Sequence, residues 1–226
     1  MKKFLLATLS LMMMLLFTAC GPQDTGKNSP EQKPEEPATT SNSQTAEASP
    51  SKNKTKILVA YFSRTGDNYE VGVIQKGNTA IMAEMIAEKT GADLFEIKPV
   101  NPYPEDYKEC TEVAKTEKDN NVRPEIATKI ENLQQYDTIF LGYPVWWSAP
   151  PMIIYTFLES YDFNGKTIIP FCTSAGEYMT GKEIEIPQIA KGSMIGQGLG
   201  IRGKECQENP DSVKGKVNYW INGLGY

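Results

Sequence analysis

The chain of 226 residues contains no histidine. That removes the commonest metal ligand and the commonest general base together. Ser-His-Asp and Cys-His catalysis and histidine-ligated zinc are excluded, and any chemistry points to a cofactor. Cysteine is scarce, with four in the chain and no metal-ligand spacing. Apart from Cys20, the set Cys110, Cys172 and Cys206 is odd, so it allows at most one intrachain disulfide and leaves a thiol over. Each of the three reads more simply as a small buried hydrophobe. The formal net charge is −5, and neither a basic patch nor interleaved basic and aromatic residues is present. Nucleic acid, whose phosphates demand clustered Lys and Arg, is excluded as a partner. The acidic balance suits docking on basic partners, and it equally suits an ordinary dispersed protein. No Gly-x-Gly-x-x-Gly turn of the kind a dinucleotide's pyrophosphate needs is found.

At the N-terminus, Lys2 and Lys3 precede an apolar core from Phe4 to Phe17, and Thr18-Ala19-Cys20-Gly21 closes it. The run is too short to span a bilayer comfortably and has the charge and length of a secretory signal. It resembles a bacterial lipoprotein signal. The resemblance implies a signal peptide over 1–19, lipidation at Cys20, and a domain held by that lipid to a membrane of the bacterial cell envelope, outside the cytoplasm. Phe17 stands where an aliphatic residue is usual, so ordinary secretion or an uncleaved anchor are the alternatives. Residues 20–55 are Pro, Ser, Thr, Glu, Gln, Asn and Lys with almost nothing apolar, a composition that cannot offset ordering entropy. They read as a tether whose root-mean-square reach as a flexible coil is roughly 30–35 Å.

Residues 56–226 have the size of one domain with a real core. After Lys56, Ile57-Leu58-Val59-Ala60-Tyr61-Phe62 is an unbroken apolar run that reads as a central parallel strand buried on both faces. It ends in Ser63-Arg64-Thr65-Gly66. After an intervening segment, Asp67 to Lys76, comes Gly77-Asn78-Thr79 and a helix carried by Ile81, Met82, Met85 and Ile86, which Gly91 ends. Leu94–Ile97 is a second strand near the sheet edge, and Tyr107–Asp119 is a charged helix. Strands follow at Thr138–Gly142 and Thr167–Phe171, with a helix begun by Pro150-Pro151 between them. Pro170 cannot donate to a ladder, so a local bulge is expected there. Met194–Ile201 is a fifth strand, and Pro210–Leu224 is a closing amphipathic helix. Strands alternating with helices imply a doubly wound α/β fold with the ligand beyond the carboxyl ends of the strands.

Three strand ends carry loops of distinct chemistry. Ser63, Arg64, Thr65 and Gly66 with Gly77, Asn78 and Thr79 offer hydroxyls and helix-start N–H groups to a phosphate. Tyr143-Pro144-Val145-Trp146-Trp147 offers backbone polar groups and aromatic faces. Thr173-Ser174-Ala175-Gly176 is a tight turn of small residues. Singly, the first loop is equally an ordinary βα turn, and the two tryptophans are equally core aromatics. Together they resemble the bacterial flavodoxin family, whose Ser/Thr-x-Ser/Thr-Gly-x-Thr loop is here split in two. The resemblance covers residues 56–226. It implies a flavodoxin-like five-stranded parallel sheet in the order 2-1-3-4-5, noncovalent flavin mononucleotide (FMN), and electron exchange with redox partner proteins. Cofactor contacts are expected from Ser63, Arg64, Thr65, Gly66, Gly77, Asn78, Thr79, Pro144, Val145, Trp146, Trp147, Thr173, Ser174, Ala175 and Gly176. Of Trp146 and Trp147, one should pack inward and one face the flavin. Tyr178 and Met179 could line the site, with packing the simpler role. An FMN-dependent reductase of quinones or other small molecules, and a flavin-free tethered binding module, are the other function classes.

Overall fold

The computed structural model describes residues 55–176 and 179–226. The expected signal peptide, Cys20, the tether to residue 54, and Tyr178 lie outside the described residues. In chain order the strands are β1 (Ile57–Tyr61), β2 (Gly66–Asn68), β3 (Gly72–Ile74), β4 (Asp93–Glu96), β5 (Thr138–Pro144), β6 (Thr167–Ser174), β7 (Met194–Ile195) and β8 (Leu199–Arg202). The helices are α1 (Asn78–Thr90), α2 (Tyr107–Asp119), α3 (Met152–Ser160), α4 (Ile186–Ile189), α5 (Gly203–Glu208) and α6 (Pro210–Gly223).

β4, β1, β5 and β6 lie side by side in that order, all parallel, and both β7 and β8 pair with the outer edge of β6. In terms of the five strands expected, the order of the first four holds. The single fifth strand is corrected to two segments separated by Gly196-Gln197-Gly198. The cause lies in β6. Its ladder with β5 runs in register through Leu141↔Pro170, so the bulge expected at Pro170 does not form. The Gly196 N–H donates to the Ile168 carbonyl. By strand alternation Pro170 aims the same edge at the gap, where it has no N–H to give. The neighbouring strand breaks instead. There it comes so close that a Cβ on Gly198 would stand 2.8 Å from the Pro170 carbonyl oxygen.

Alternation along each central strand divides the core in two. Leu58, Ala60, Ile139, Leu141, Ile168 and Cys172 face one side, with Ile153, Phe157 and Leu158 of α3. Val59, Tyr61, Phe140, Ile169 and Phe171 face the other, with Met82 and Ile86 of α1 and Val213, Val217 and Trp220 of α6. Each fully buried side chain of this size contributes about 1.5–3 kcal/mol, which outweighs the weak intrinsic preference of the short helices. Cys110, Cys172 and Cys206 are buried thiols. Burial pushes the Cys172 and Cys206 thiols up to about 12, so neither is a nucleophile at neutral pH.

The helix ends follow local chemistry. Gly91 takes the left-handed conformation, φ +69°, and its N–H returns to the Ala87 carbonyl at 2.8 Å, a cap that a side chain would strain. Asp106 caps α2 by accepting from the Glu109 N–H at 2.8 Å, worth about 1 kcal/mol. The segment 67–76, expected only as an interruption, contains the β2–β3 hairpin, which stands apart from the main sheet.

Candidate functional site

The carboxyl ends of β1, β5 and β6 open into a cleft of about 390 Å³, in the size range of small-ligand sites. The split first loop forms one end of it. Ser63 Oγ accepts from the Ala80 N–H at 3.0 Å, satisfying one of the free donors in the first turn of α1. Gly77 makes this closure possible. Its φ of −67° is ordinary, but a Cβ there would lie 2.2 Å from Ser63 Oγ and 2.5 Å from the Arg64 carbonyl oxygen. Thus the two loop halves meet as one cradle. The amides of Asn78 and Thr79 have no intrahelical acceptor at the start of α1, and no acidic residue occupies that first turn.

The side chains of this loop divide into wall and scaffold. Asn78 and Arg64 line the cleft, whereas Ser63, Thr65, Gly66, Gly77 and Thr79 stand behind or beside it. Thr79 Oγ1 is buried and bonded to Thr173 Oγ1 at 2.8 Å, which joins the first and third loops. Arg64 spends its guanidinium on backbone: it donates to the carbonyls of Asp67, Pro104 and Glu105. Gly66, at φ +78°, packs so tightly on Glu105 that a Cβ would approach its carbonyl oxygen to 2.8 Å.

The opposite end is built from β5 and β6. Pro144 and Val145 line it, and the Val145 N–H donates to the Thr173 carbonyl at 2.8 Å. Trp146 and Ala149 then exchange backbone hydrogen bonds of 2.9 and 3.1 Å across a two-residue turn, in which Trp147 and Ser148 have φ of +51° and +60°. Left-handed backbone at two residues other than glycine costs about 1–3 kcal/mol each and clusters at functional sites. The turn sends its rings in different directions, because the left-handed backbone at Trp147 reverses the chain between them. Trp146 packs edge-on against Phe62 and Tyr103, at 5.4 and 4.9 Å between centroids. Trp147 stays 48 % exposed and donates its indole N–H to the Thr111 carbonyl of α2 at 3.0 Å. Thr173, Ser174 and Ala175 complete the wall, and Ser174 Oγ bonds both the carbonyl and the N–H of Gly176. Met179 packs away from the cleft, its sulfur 3.5 Å from Cys172 Sγ.

Two walls escaped the sequence reading. The β2–β3 hairpin contributes Asn68, Tyr69 and Glu70, and α2 contributes Tyr107, Cys110, Thr111 and Ala114. Gly203 and Lys204 line the cleft beside Asn78. The only sequence signal for these last two was a glycine between the fifth-strand segment and the closing helix. Burial raises the Tyr107 hydroxyl above its ordinary value, and Tyr69 adds to the effect. Burial likewise raises the Cys110 thiol, against the opposing pull of Arg64. Both groups stay protonated at neutral pH.

Solved structures of other proteins resemble this chain over most of its described length. A candidate flavoprotein from Bacteroides uniformis is 34% identical, with a TM-score of 0.58 over 74% of this chain and 98% of its own. One from Bacteroides eggerthii is 30% identical, with a TM-score of 0.59 over 76% and 99%. A flavoprotein from Lactobacillus acidophilus, solved in complex with FMN, is 25% identical, with a TM-score of 0.50 over 68% and 97%. No curated protein gives a significant match. The flavodoxin family profile matches residues 56–211, most of the chain, and with the parallel sheet and the cleft at its carboxyl edge this places the protein in the flavodoxin family.

Proposed function

We propose that the protein is an FMN-binding electron carrier, held to a membrane of the cell envelope by lipid on Cys20. The observation that carries the cofactor assignment is the joint between Gly77 and Ser63. It builds a cradle for one phosphate at the start of α1, too tight for any side chain at residue 77, at one end of a cleft whose other end is lined by Trp146 and Trp147. FMN has a phosphate at one end and a flat ring system at the other. The donor set fits: amides of the first turn of α1, the Asn78 side chain and Lys204 for the phosphate, and indole faces with the backbone of 144–147 and 173–176 for the ring. The FMN complex of the Lactobacillus acidophilus flavoprotein supports the same cofactor.

When bound, FMN supplies one- and two-electron transfer. The residues that would hold it are Asn78 and Lys204 at the phosphate end and Pro144 to Trp147 with Thr173 to Ala175 at the ring end, where Trp147 is half-exposed. Carrier rather than reductase is supported by the described residues of the cleft, which include no histidine and, in Glu70, a single carboxylate. Cys110 and Tyr107 keep their protons, and Glu70 is committed to Arg202. A carrier needs no group that exchanges protons with a substrate.

Stopped-flow reduction of the purified protein by a flavoprotein reductase, set beside steady-state assays with quinones and nicotinamide donors, tests the class. Fast reduction by the protein donor with negligible quinone turnover is expected. Rapid, saturable quinone turnover by the protein alone would make it a reductase. Intact mass of membrane-extracted protein tests the anchor: a diacylated chain beginning at Cys20 is expected, and an unmodified chain or one keeping Met1 would refute it.

A further inference from the structure

We propose that the β2–β3 hairpin is a strap across the phosphate end of the cleft, fastened by Glu70 and Arg202, and that this strap restricts the site to a mononucleotide. The inference rests on the FMN reading above and concerns which flavin the site accepts. It starts from a closed ring of contacts. Arg202, at the end of β8, donates from Nε and Nη2 to both carboxylate oxygens of Glu70, at 2.9–3.2 Å. Gly203, next in the chain, abuts Asn78 so closely that a Cβ would stand 2.7 Å from Asn78 Nδ2. Gln207 donates to both Asn78 Oδ1 and the Lys76 carbonyl at 2.8 Å, tying the return limb of the hairpin to α5.

The hairpin's other edge is clasped as well. The Tyr69 ring lies 6.0 Å from that of Tyr107 on α2, so the three-residue tip reaches from α2 to β8. Glu70 itself has φ +63°, a left-handed conformation that glutamate avoids. Its ion pair with Arg202 recovers part of that cost.

The consequence is steric. A mononucleotide whose phosphate sat at the start of α1 would end inside the ring. A dinucleotide would have to carry a second phosphate and a nucleoside outward between the strap and α5, through the space that the fastened hairpin closes. Glu70 and Arg202 are therefore positioning residues for selectivity. Because the pair is partly exposed, its contribution is modest, but the two-pronged geometry puts it at the upper end for surface pairs. The base of the hairpin is held separately by Arg64, so loosening the tip should leave the fold intact.

The test measures FMN release by stopped flow, and the equilibrium affinities of FMN and FAD, for the full-length protein, Glu70→Gln, Arg202→Gln, and the exchanged pair Glu70→Arg with Arg202→Glu. Each single variant is expected to release FMN about fivefold faster and to narrow the FMN-over-FAD preference by a similar factor, as a bidentate surface pair allows. The exchanged pair should recover most of both. In the cofactor-free protein, amides of residues 66–74 should exchange faster in the single variants than in the wild type. Wild-type release, selectivity and exchange in both single variants would overturn the strap while leaving FMN binding intact. Failure of the wild type to bind FMN would overturn the cofactor assignment and the strap's selectivity role with it.

Discussion

Thr79 Oγ1 and Thr173 Oγ1 meet at 2.8 Å in the interior, and this one hydrogen bond ties the first turn of α1 to the end of β6. The two loops that would hold opposite ends of a ligand are thus a single mechanical unit. Removing one hydroxyl leaves the other buried without its partner.

Thr79→Val and Thr173→Val should each cost about 1–3 kcal/mol, the penalty of an unmatched buried hydroxyl. The double variant should cost less than the sum, since no orphan remains. A double-mutant cycle by urea denaturation measures this, and strictly additive losses would show that the hydroxyls act independently.

Gly77→Ala should fail for want of space, not for backbone conformation. The methyl group would drive Ser63 and the Arg64 carbonyl away from the start of α1, an overpacking cost of about 1–3 kcal/mol. It should also weaken FMN binding by at least about tenfold, one charge-assisted hydrogen bond's worth. Thermal melts and flavin fluorescence titration check the two effects separately, and an alanine variant that matches the wild type in both would remove Gly77 from the cradle.

Trp146 and Trp147 should separate by substitution. Trp146→Ala deletes a ring packed on Phe62 and Tyr103 and should cost about 2–4 kcal/mol of stability. Trp147→Ala removes a half-exposed ring with one hydrogen bond, to the Thr111 carbonyl, and should cost no more than about 0.5–1.5 kcal/mol, while changing the absorption and potential of bound flavin. Denaturation and spectroelectrochemistry on the same samples give both readouts. Equal destabilisation by the two would contradict the inward and outward assignment.

Glu117 provides a pH signature. Burial raises its carboxyl above the ordinary range, partly countered by the hydrogen bond from Tyr103 at 2.8 Å. A raised folded-state value means the folded protein holds this proton more tightly than the unfolded chain. Its contribution is therefore fully present below the unfolded value and is lost as pH rises through the folded one. Glu117→Gln should flatten that decline across the window just above the ordinary carboxylate pKa. Denaturation midpoints across a pH series decide it, and parallel curves for the two proteins would refute it.

The sheet and the loops at its carboxyl edge were legible because a doubly covered strand leaves a blunt signature: unbroken apolar runs at 57–62 and 139–141 that end in glycine or hydroxyl residues. The extent of α2 was legible from its charge pattern. That Tyr107, Thr111 and Ala114 would wall the cleft was not, since a helix's charge pattern does not say which loop it meets. The hairpin was hidden for a similar reason. Its strands are three residues long, too short for a period-two pattern. It is held by an arginine reaching carbonyls some 40 residues away and by a carboxylate paired across 132. The break in the fifth strand was half visible: Pro170 announced a defect, but the adjacent strand took it up.

The central claim is that the cleft holds FMN, and flavin analysis of the purified full-length protein tests it most directly. The account predicts a yellow protein that releases one FMN per chain on denaturation and, once stripped, rebinds FMN in preference to FAD. A colourless protein that takes up no added FMN, or one that carries FAD, would contradict it.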